Sequence, residues 1–232
     1  MPVYFVQSHQ SLNNRISLTG DLAHHLRHVL RLGVGDELYL VDDRKRKFRS
    51  RIAASDKLLL TVDILEELSP PEPPRISIHL GQGLPQGAKL ESLSQKCPDL
   101  GVARIPPLIS ERCVVQWKSD RNTRIDRWRK IALEASQQAG RRTVSTIDNP
   151  QGFAGFLDQP GSWDLGILLW EEESAQRLKP LLDQQIRRSG PEVGPLSCLI
   201  LIGPEGGFSG EEAALARGKG VISVTLGERI LR

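Results

Sequence analysis

Cysteine is scarce in this chain. Cys97, Cys113 and Cys198 are its only three, and they lie far apart. An odd number with no Cys-x-x-Cys spacing excludes both a zinc ribbon and a disulfide framework. Free, buried thiols in a reducing compartment are expected instead. Long apolar runs are also missing, so nothing approaches the roughly 18 residues of a membrane span. Residues 1–10 lack the charged, apolar and small-residue order of a secretory signal. The expected location is therefore cytoplasmic, with no membrane partner. No Gly-Lys-Ser/Thr string is present, which excludes a P-loop. Strong net charge is absent as well: the balance is +3 over 232 residues, and the composition, 39% hydrophobic and 25% charged, is that of a soluble globular protein.

The distribution of charge says more than its sum. Residues 104–142 hold ten Lys/Arg against four Asp/Glu, whereas residues 143–232 hold eight against twelve. The run 44–51 (RKRKFRSR) has six basic side chains and no acid. Local clusters of this kind attract phosphate backbones whatever the total charge. Arg44, Lys45, Arg46 and Lys47 are thus candidate RNA contacts, a solvated loop between two strands being the alternative.

Four prolines within Pro70–Pro74 exclude helix and central strand and read as a semi-rigid linker. The expected domains are 1–69, the linker 70–74, and 75–232. The first domain reads as short strands at 3–6, 37–41, 48–53 and 58–65, interrupted by a helix at about 21–32 that Thr19 or Asp21 caps and Gly33 ends. Leu22, Leu26, Val29 and Leu30 form its expected buried stripe. His24, Arg27, His28 and Arg31 form a second stripe, fit either for nucleic-acid contact or for plain solvation. A metal at His24 and His28 is not expected, because no third ligand is evident and two arginines crowd them. The second domain alternates strands (75–80, 102–110, 165–170, 199–202, 221–224) with helices (89–97, 123–139, 175–188). A capping box, Ser209-Gly210-Glu211-Glu212, opens one more helix. This alternation predicts an α/β fold with a mostly parallel sheet covered by helices.

Two apolar runs near the C-terminus end in glycine-bearing loops. Leu199–Ile202 runs into Gly203-Pro204-Glu205-Gly206-Gly207-Phe208-Ser209, and Val221–Val224 is soon followed by Leu226-Gly227-Glu228-Arg229-Ile230-Leu231-Arg232. In open α/β sheets ligands sit beyond the carboxyl ends of strands. Exposed backbone donors and acceptors in such loops suit a purine edge and a ribose better than a triphosphate. A further glycine string, Gly81-Gln82-Gly83-Leu84-Pro85-Gln86-Gly87, imitates a dinucleotide fingerprint. Its spacing is wrong, Pro85 intrudes, and Asp99 follows a helix rather than a second strand, so a nicotinamide site is not expected.

The string from Ile202 to Ser209, followed by the one from Leu226 to Arg232, resembles the bacterial 16S ribosomal RNA uridine N3-methyltransferase family of the SPOUT class. Further pieces agree: His25–Gly33, Lys96–Val102, Glu111-Arg112 and Glu134–Arg141. The resemblance implies a small PUA-like RNA-binding β-barrel followed by a SPOUT domain whose C-terminal part is tied in a trefoil knot. It implies methyl transfer from S-adenosyl-L-methionine to uridine N3 of 16S ribosomal RNA in the small ribosomal subunit, by a homodimer and without metal. The cofactor would lie between Gly203, Pro204, Glu205, Gly206 and Gly207 on one side and Leu226, Gly227, Ile230 and Leu231 on the other, with Leu169 over the adenine. Arg232 would stabilise charge on the uracil carbonyl oxygens. Glu205 would accept the N3 proton, or else fix the loop. Lys96, Glu134, Gln138 and Arg141 match positions near the RNA face; the last three share one helix face if the helix persists through Gly140. The chain departs from the family pattern at Val3, where arginine is usual, and at Asp99, where glutamate is commoner. The family motif continues beyond the equivalent of Arg232 with Thr-Glu-Thr-Ala. A non-catalytic RNA-binding or ribosome-assembly module with a defunct pocket is the competing expectation.

Overall fold

A computed structural model describes residues 2–7, 11–12, 14–72, 74–117, 122–159, 163–189 and 196–228. The chain divides into two compact units, residues 1–72 with 136–144, and residues 73–135 with 145–232.

The first unit is a curled sheet. Its elements are β1 (Val3–Phe5), β2 (Ser11–Leu12), β3 (Arg15–Leu18), α1 (Gly20–His24), β4 (Glu37–Val41), β5 (Lys47–Ser55) and β6 (Leu60–Leu68). The order is β1-β4-β5-β6-β3-β2, with β1 parallel to β4 and the other pairs antiparallel. Alternation along β4 turns Leu38 and Leu40 inward, onto Ile16, Leu18, Ile52, Leu60 and Val62. Register shifts near Ser50 and Ala54 bend the long β5–β6 pair.

The helix of this unit differs from expectation. The α-helical part ends at His24, and His25–Val29 continues as one widened turn closed by Leu30 N–H to His25 O at 3.0 Å. The extra residue in that turn rotates the side chains after it, so a 3.6-residue stripe loses register. Leu26 stays fully buried, but Val29 and Leu30 are 60% and 40% exposed. Arg31, at φ 57°, ends the helix in the left-handed region two residues before Gly33. Thr19 is the N-cap, without a side-chain hydrogen bond.

The second unit is a parallel sheet with helices on both faces. It comprises β7 (Ile76–Gly83), α2 (Lys89–Asp99), β8 (Arg104–Ile105), β9 (Pro107–Ile109), α3 (Asn122–Gln138), β10 (Thr146–Ile147), β11 (Gln151–Gly152), α4 (Phe153–Leu157), β12 (Leu165–Leu169), α5 (Leu178–Ser189), β13 (Leu196–Ile202), α6 (Gly210–Gly218) and β14 (Ile222–Val224). The last turn of α3 counts with the first unit. The order is β10-β8-β7-β13-β12-β14, with β9 and β11 prolonging the β8–β10 edge. Each pair is parallel. Leu199 and Leu201 point from β13 to Phe153, Phe208, Ala213 and Ala216 on one face. Ile200 points to the other, where Leu90, Ile125 and Trp128 pack. Two-sided burial explains why β13 reads as an unbroken apolar run. In α3 the buried stripe is Ile125, Trp128, Ala132 and Ala135; Ile131 is only half-buried. The helix ends at Gln138, and Gly140 (φ 68°) turns the chain away.

Candidate functional site

The central strands end level with one another. Leu169 of β12 pairs with Ile202 of β13 on one side and Val224 of β14 on the other. The loops after all three strands therefore leave the sheet side by side, beyond its carboxyl edge, where open α/β sheets bind ligands. The two glycine loops singled out in the sequence flank the loop that follows β12.

Short-range packing shapes the loop after β13. Gly207 lies at φ 70°, its N–H bonded to Pro204 O at 2.9 Å. A Cβ on Gly203 would fall 2.9 Å from the backbone of Gly207, so only glycine permits this fold-back. Ser209 then caps α6: Glu212 N–H donates to Ser209 Oγ at 3.2 Å, and Ser209 N–H to Glu212 Oε2 at 3.0 Å. This is the reciprocal capping box read from the sequence.

Four groups that the sequence did not single out for this loop hold it in place. Buried Gln82 donates through Nε2 to Gly203 O at 3.2 Å. Gly83 lies under Pro204, where a Cβ would meet Cδ at 2.4 Å. Arg112 donates to Gly206 O at 3.3 Å and pairs with Glu171 at 3.6 Å. The Glu171 carboxylate rests against Gly207. The string that imitates a dinucleotide fingerprint is thus largely strand: Gly81 and Gly83 belong to β7. Their lack of side chains makes room for Leu201 and for the Gly203-Pro204 turn. Contact between strands distant in sequence leaves no signal a single sequence can show.

Glu205 accepts from Lys89 Nζ at 2.7 Å and from Gln86 N–H at 3.2 Å. The hydrogen bond from Lys89 holds its carboxyl below the usual carboxylate range. Such a group is a weaker proton acceptor and a good strut between the β13 loop and the start of α2. Leu169 is half-buried and Leu226 is 50% exposed; Gly227 lies at φ 122°. Ile230, Leu231 and Arg232 lie outside the described residues.

The candidate RNA residues differ in how far their side chains are committed. His24 and His28 are exposed, their rings 4.6 Å apart. Arg27 is tied to the carbonyls of Asp56 and Lys57. Arg31 leaves the stripe because the helix ends before it. Arg44 and Lys45 are exposed on a hairpin turn. Arg46 is committed internally: it pairs with buried Asp42 at 2.7 Å and covers the Phe48 ring. Lys47 lies half-buried over Tyr39. Lys96, Glu134 and Gln138 are exposed. Arg141 follows the glycine turn, so the shared helix face expected for Glu134, Gln138 and Arg141 does not form; burial lowers the affinity of Arg141 for its proton. Cys97 and Cys198 are buried, which pushes both thiols up, and Cys113 is half-buried.

Residues 71–232 match the RNA methyltransferase domain family, and residues 18–65 the RNA methyltransferase PUA domain. Ribosomal RNA small subunit methyltransferase E of Synechocystis is 30% identical over 228 residues, covering 98% of this chain and 71% of the relative. This chain belongs to the RNA methyltransferase family. The Bacillus subtilis protein of the same name is 28% identical over 221 residues, 93% of this chain and 84% of its own. Two solved structures extend the likeness of this RNA methyltransferase to the whole fold. A methyltransferase of Legionella pneumophila with bound SAM superposes at TM-score 0.82 and 29% identity, covering 99% of this chain and 90% of that one. Ribosomal RNA small subunit methyltransferase E of Neisseria gonorrhoeae, bound to S-adenosyl methionine, superposes at 0.83 and 28%, covering 100% and 91%.

Proposed function

We propose that this RNA methyltransferase transfers a methyl group from S-adenosyl-L-methionine to uridine N3 of 16S ribosomal RNA in the small ribosomal subunit. The observation that carries the reading is the level ending of β12, β13 and β14, with one glycine loop after β13 and another after β14. The residues present suit the cofactor. Backbone of 203–207 and of 226–227 supplies hydrogen-bonding edges. Half-buried Leu169 and exposed Leu226 offer apolar walls to an adenine. When bound, the cofactor supplies an electrophilic methyl on a positively charged sulfur.

The chain's own part is placement. Orienting donor and acceptor accounts for much of the rate in an in-line displacement. Arg232 is assigned to the uracil carbonyl oxygens, lowering the cost of losing the N3 proton. Glu205, braced by Lys89, is assigned to fixing the loop rather than to taking that proton. Ile230 and Leu231, outside the described residues, are assigned to the cofactor through the family resemblance alone. The family resemblance further supports a cytoplasmic homodimer and a knotted C-terminal part. The competing reading, a non-catalytic RNA-binding module, is not favoured, since similar proteins hold the cofactor.

The decisive experiment incubates the protein and S-adenosyl-L-methionine with small ribosomal subunits lacking uridine methylation, followed by mass mapping of the RNA. A gain of one methyl on a uridine base, resistant to reagents that attack N3, is expected. Methylation of a ribose or of another base would overturn the proposed target. Absence of S-adenosylhomocysteine binding by calorimetry would overturn the cofactor site itself. Light scattering showing a monomer at working concentration would remove the homodimer.

A further inference from the structure

Among the described residues, two cations in the first unit hydrogen-bond to main-chain carbonyls and not to carboxylates. Lys47 Nζ donates to Gly140 O at 3.3 Å and lies 5.3 Å from the Tyr39 ring centroid. Arg142 donates to Lys45 O at 3.3 Å, Leu68 O at 3.0 Å and Ser69 O at 2.7 Å. Both side chains are half-buried, and exposed Arg44 and Lys45 stand on the adjoining turn. Their neighbours on β5 are different: Arg49 and Arg51 are paired with Glu37 at 3.4 and 2.8 Å. Arg46 is neutralised by Asp42.

Partial desolvation of two like charges side by side is unfavourable. Burial, and after it the charge of Arg142, lowers the affinity of Lys47 for its proton. Among the described residues the donor inventory is also unfilled. An ammonium has three N–H groups and a guanidinium five; Lys47 spends one and Arg142 three on carbonyls. The carbonyl contacts aim both heads without cancelling their charge. An anion with several acceptor oxygens would fill the remaining donors and relieve the repulsion together.

We propose that Lys47 and Arg142, rimmed by Arg44 and Lys45, form a phosphate-binding site for the RNA backbone. It rests on the reading of the chain as an RNA-modifying enzyme and adds a defined anchoring point to it. Arg142 is new to that surface, and Arg46 is removed from it. The contact is to the backbone, so it positions RNA without reading sequence.

The test is binding of a fluorescent oligouridylate by anisotropy across a salt series, with Lys47→Met, which keeps the stem on Tyr39 and removes the charge. The dissociation constant should rise about tenfold near 50 mM salt, and the log–log salt slope should fall by about 0.7, one single-strand phosphate contact. The same variant should melt at or above the wild-type temperature at low salt, because the repulsion with Arg142 is gone. Arg51→Gln, on a neutralised arginine, should leave the slope unchanged. An unaltered slope in Lys47→Met, an equal loss in Arg51→Gln, or a melting temperature lowered by several degrees would each overturn the proposal. Calorimetry with S-adenosylhomocysteine separates the two readings. Its failure in wild type with the RNA result intact would defeat the methyltransferase reading and leave the phosphate site standing.

Discussion

Gly83→Ala tests the site through a residue that touches no ligand. Gly83 ends β7, and an added Cβ would lie 2.4 Å from Pro204 Cδ, 2.5 Å from Pro204 N and 2.8 Å from Gly203 C. Ordinary contact begins at 3.4 Å, so the Gly203-Pro204 turn must retreat by about 1 Å. The obstacle is backbone and a proline ring, neither of which can rotate aside. Overpacking of this size costs about 1–3 kcal/mol. The larger effect falls on the loop, because displacements near 1 Å in positioning groups can cost on the order of 100-fold in rate. Gly83→Ala should therefore lower the denaturant midpoint modestly, weaken S-adenosylhomocysteine at least tenfold by calorimetry, and leave circular dichroism unchanged. Gly155→Ala in α4, where nothing lies within 4 Å of the added carbon, is the matched control and should bind normally. Wild-type affinity in Gly83→Ala, with stability intact, would refute the claim that close approach of β7 shapes the pocket.

Four further outcomes are expected. Glu205→Gln should weaken the cofactor a few-fold while the pH dependence of turnover keeps its shape; a lost basic limb in a pH–rate profile would instead make Glu205 the proton acceptor. Arg232→Ala should lower kcat far more than cofactor affinity, as steady-state kinetics and calorimetry together would show, and an equal loss in both would make it a binding residue. Asp42→Ala should cost about 2–4 kcal/mol in urea unfolding, since its carboxylate, 2% exposed, accepts from Arg44 N–H, Arg46 N–H and Arg46 Nε, and its loss strands those donors. Burial, reinforced by Arg104 and opposed by Asp148, lowers the pKa of His79, whose Nδ1 is buried and unpartnered. The unfolded chain therefore binds the proton more tightly, so His79 favours the fold fully above about pH 6.5 and progressively less as pH falls below it. Unfolding midpoints of wild type should drop between pH 7.5 and 5.5 by more than those of His79→Gln; parallel curves would exclude the histidine.

The parts of the fold legible in sequence were those written in local pattern. Alternation places Leu38 and Leu40 on one face of β4, and both are buried; in the unbroken run at 199–202, Leu199 and Leu201 are buried and Ile200 and Ile202 half-buried. Ser209 and Glu212 announced the start of α6 through chemistry confined to four residues. The failures share a cause. The α1 stripe assumed a constant 3.6-residue period, and one inserted residue in the widened turn moved Val29 and Leu30 outward. The strands β2, β10 and β11 carry two residues each, too few to show a period, and they exist because a partner strand supplies their hydrogen bonds.

The site was half legible for a related reason. Glycine loops after apolar strands are a local signal, and they sit at the carboxyl edge as topology requires. What holds them is remote in sequence. Gln82 reaches Gly203 across 121 residues, Lys89 reaches Glu205 across 116, and Arg112 reaches Gly206 across 94. Charge counting meets the same limit at the basic run. The run 44–51 looks uniform as letters, yet Arg46, Arg49 and Arg51 are paired with Asp42, Glu37 and Glu66. Only the three-dimensional pairing separates cations that build the sheet from Lys47, whose charge stays uncancelled beside a segment 93 residues away. A basic run in a sequence therefore sets an upper bound on a phosphate surface, and the acids across the strand decide how much of it is left to bind.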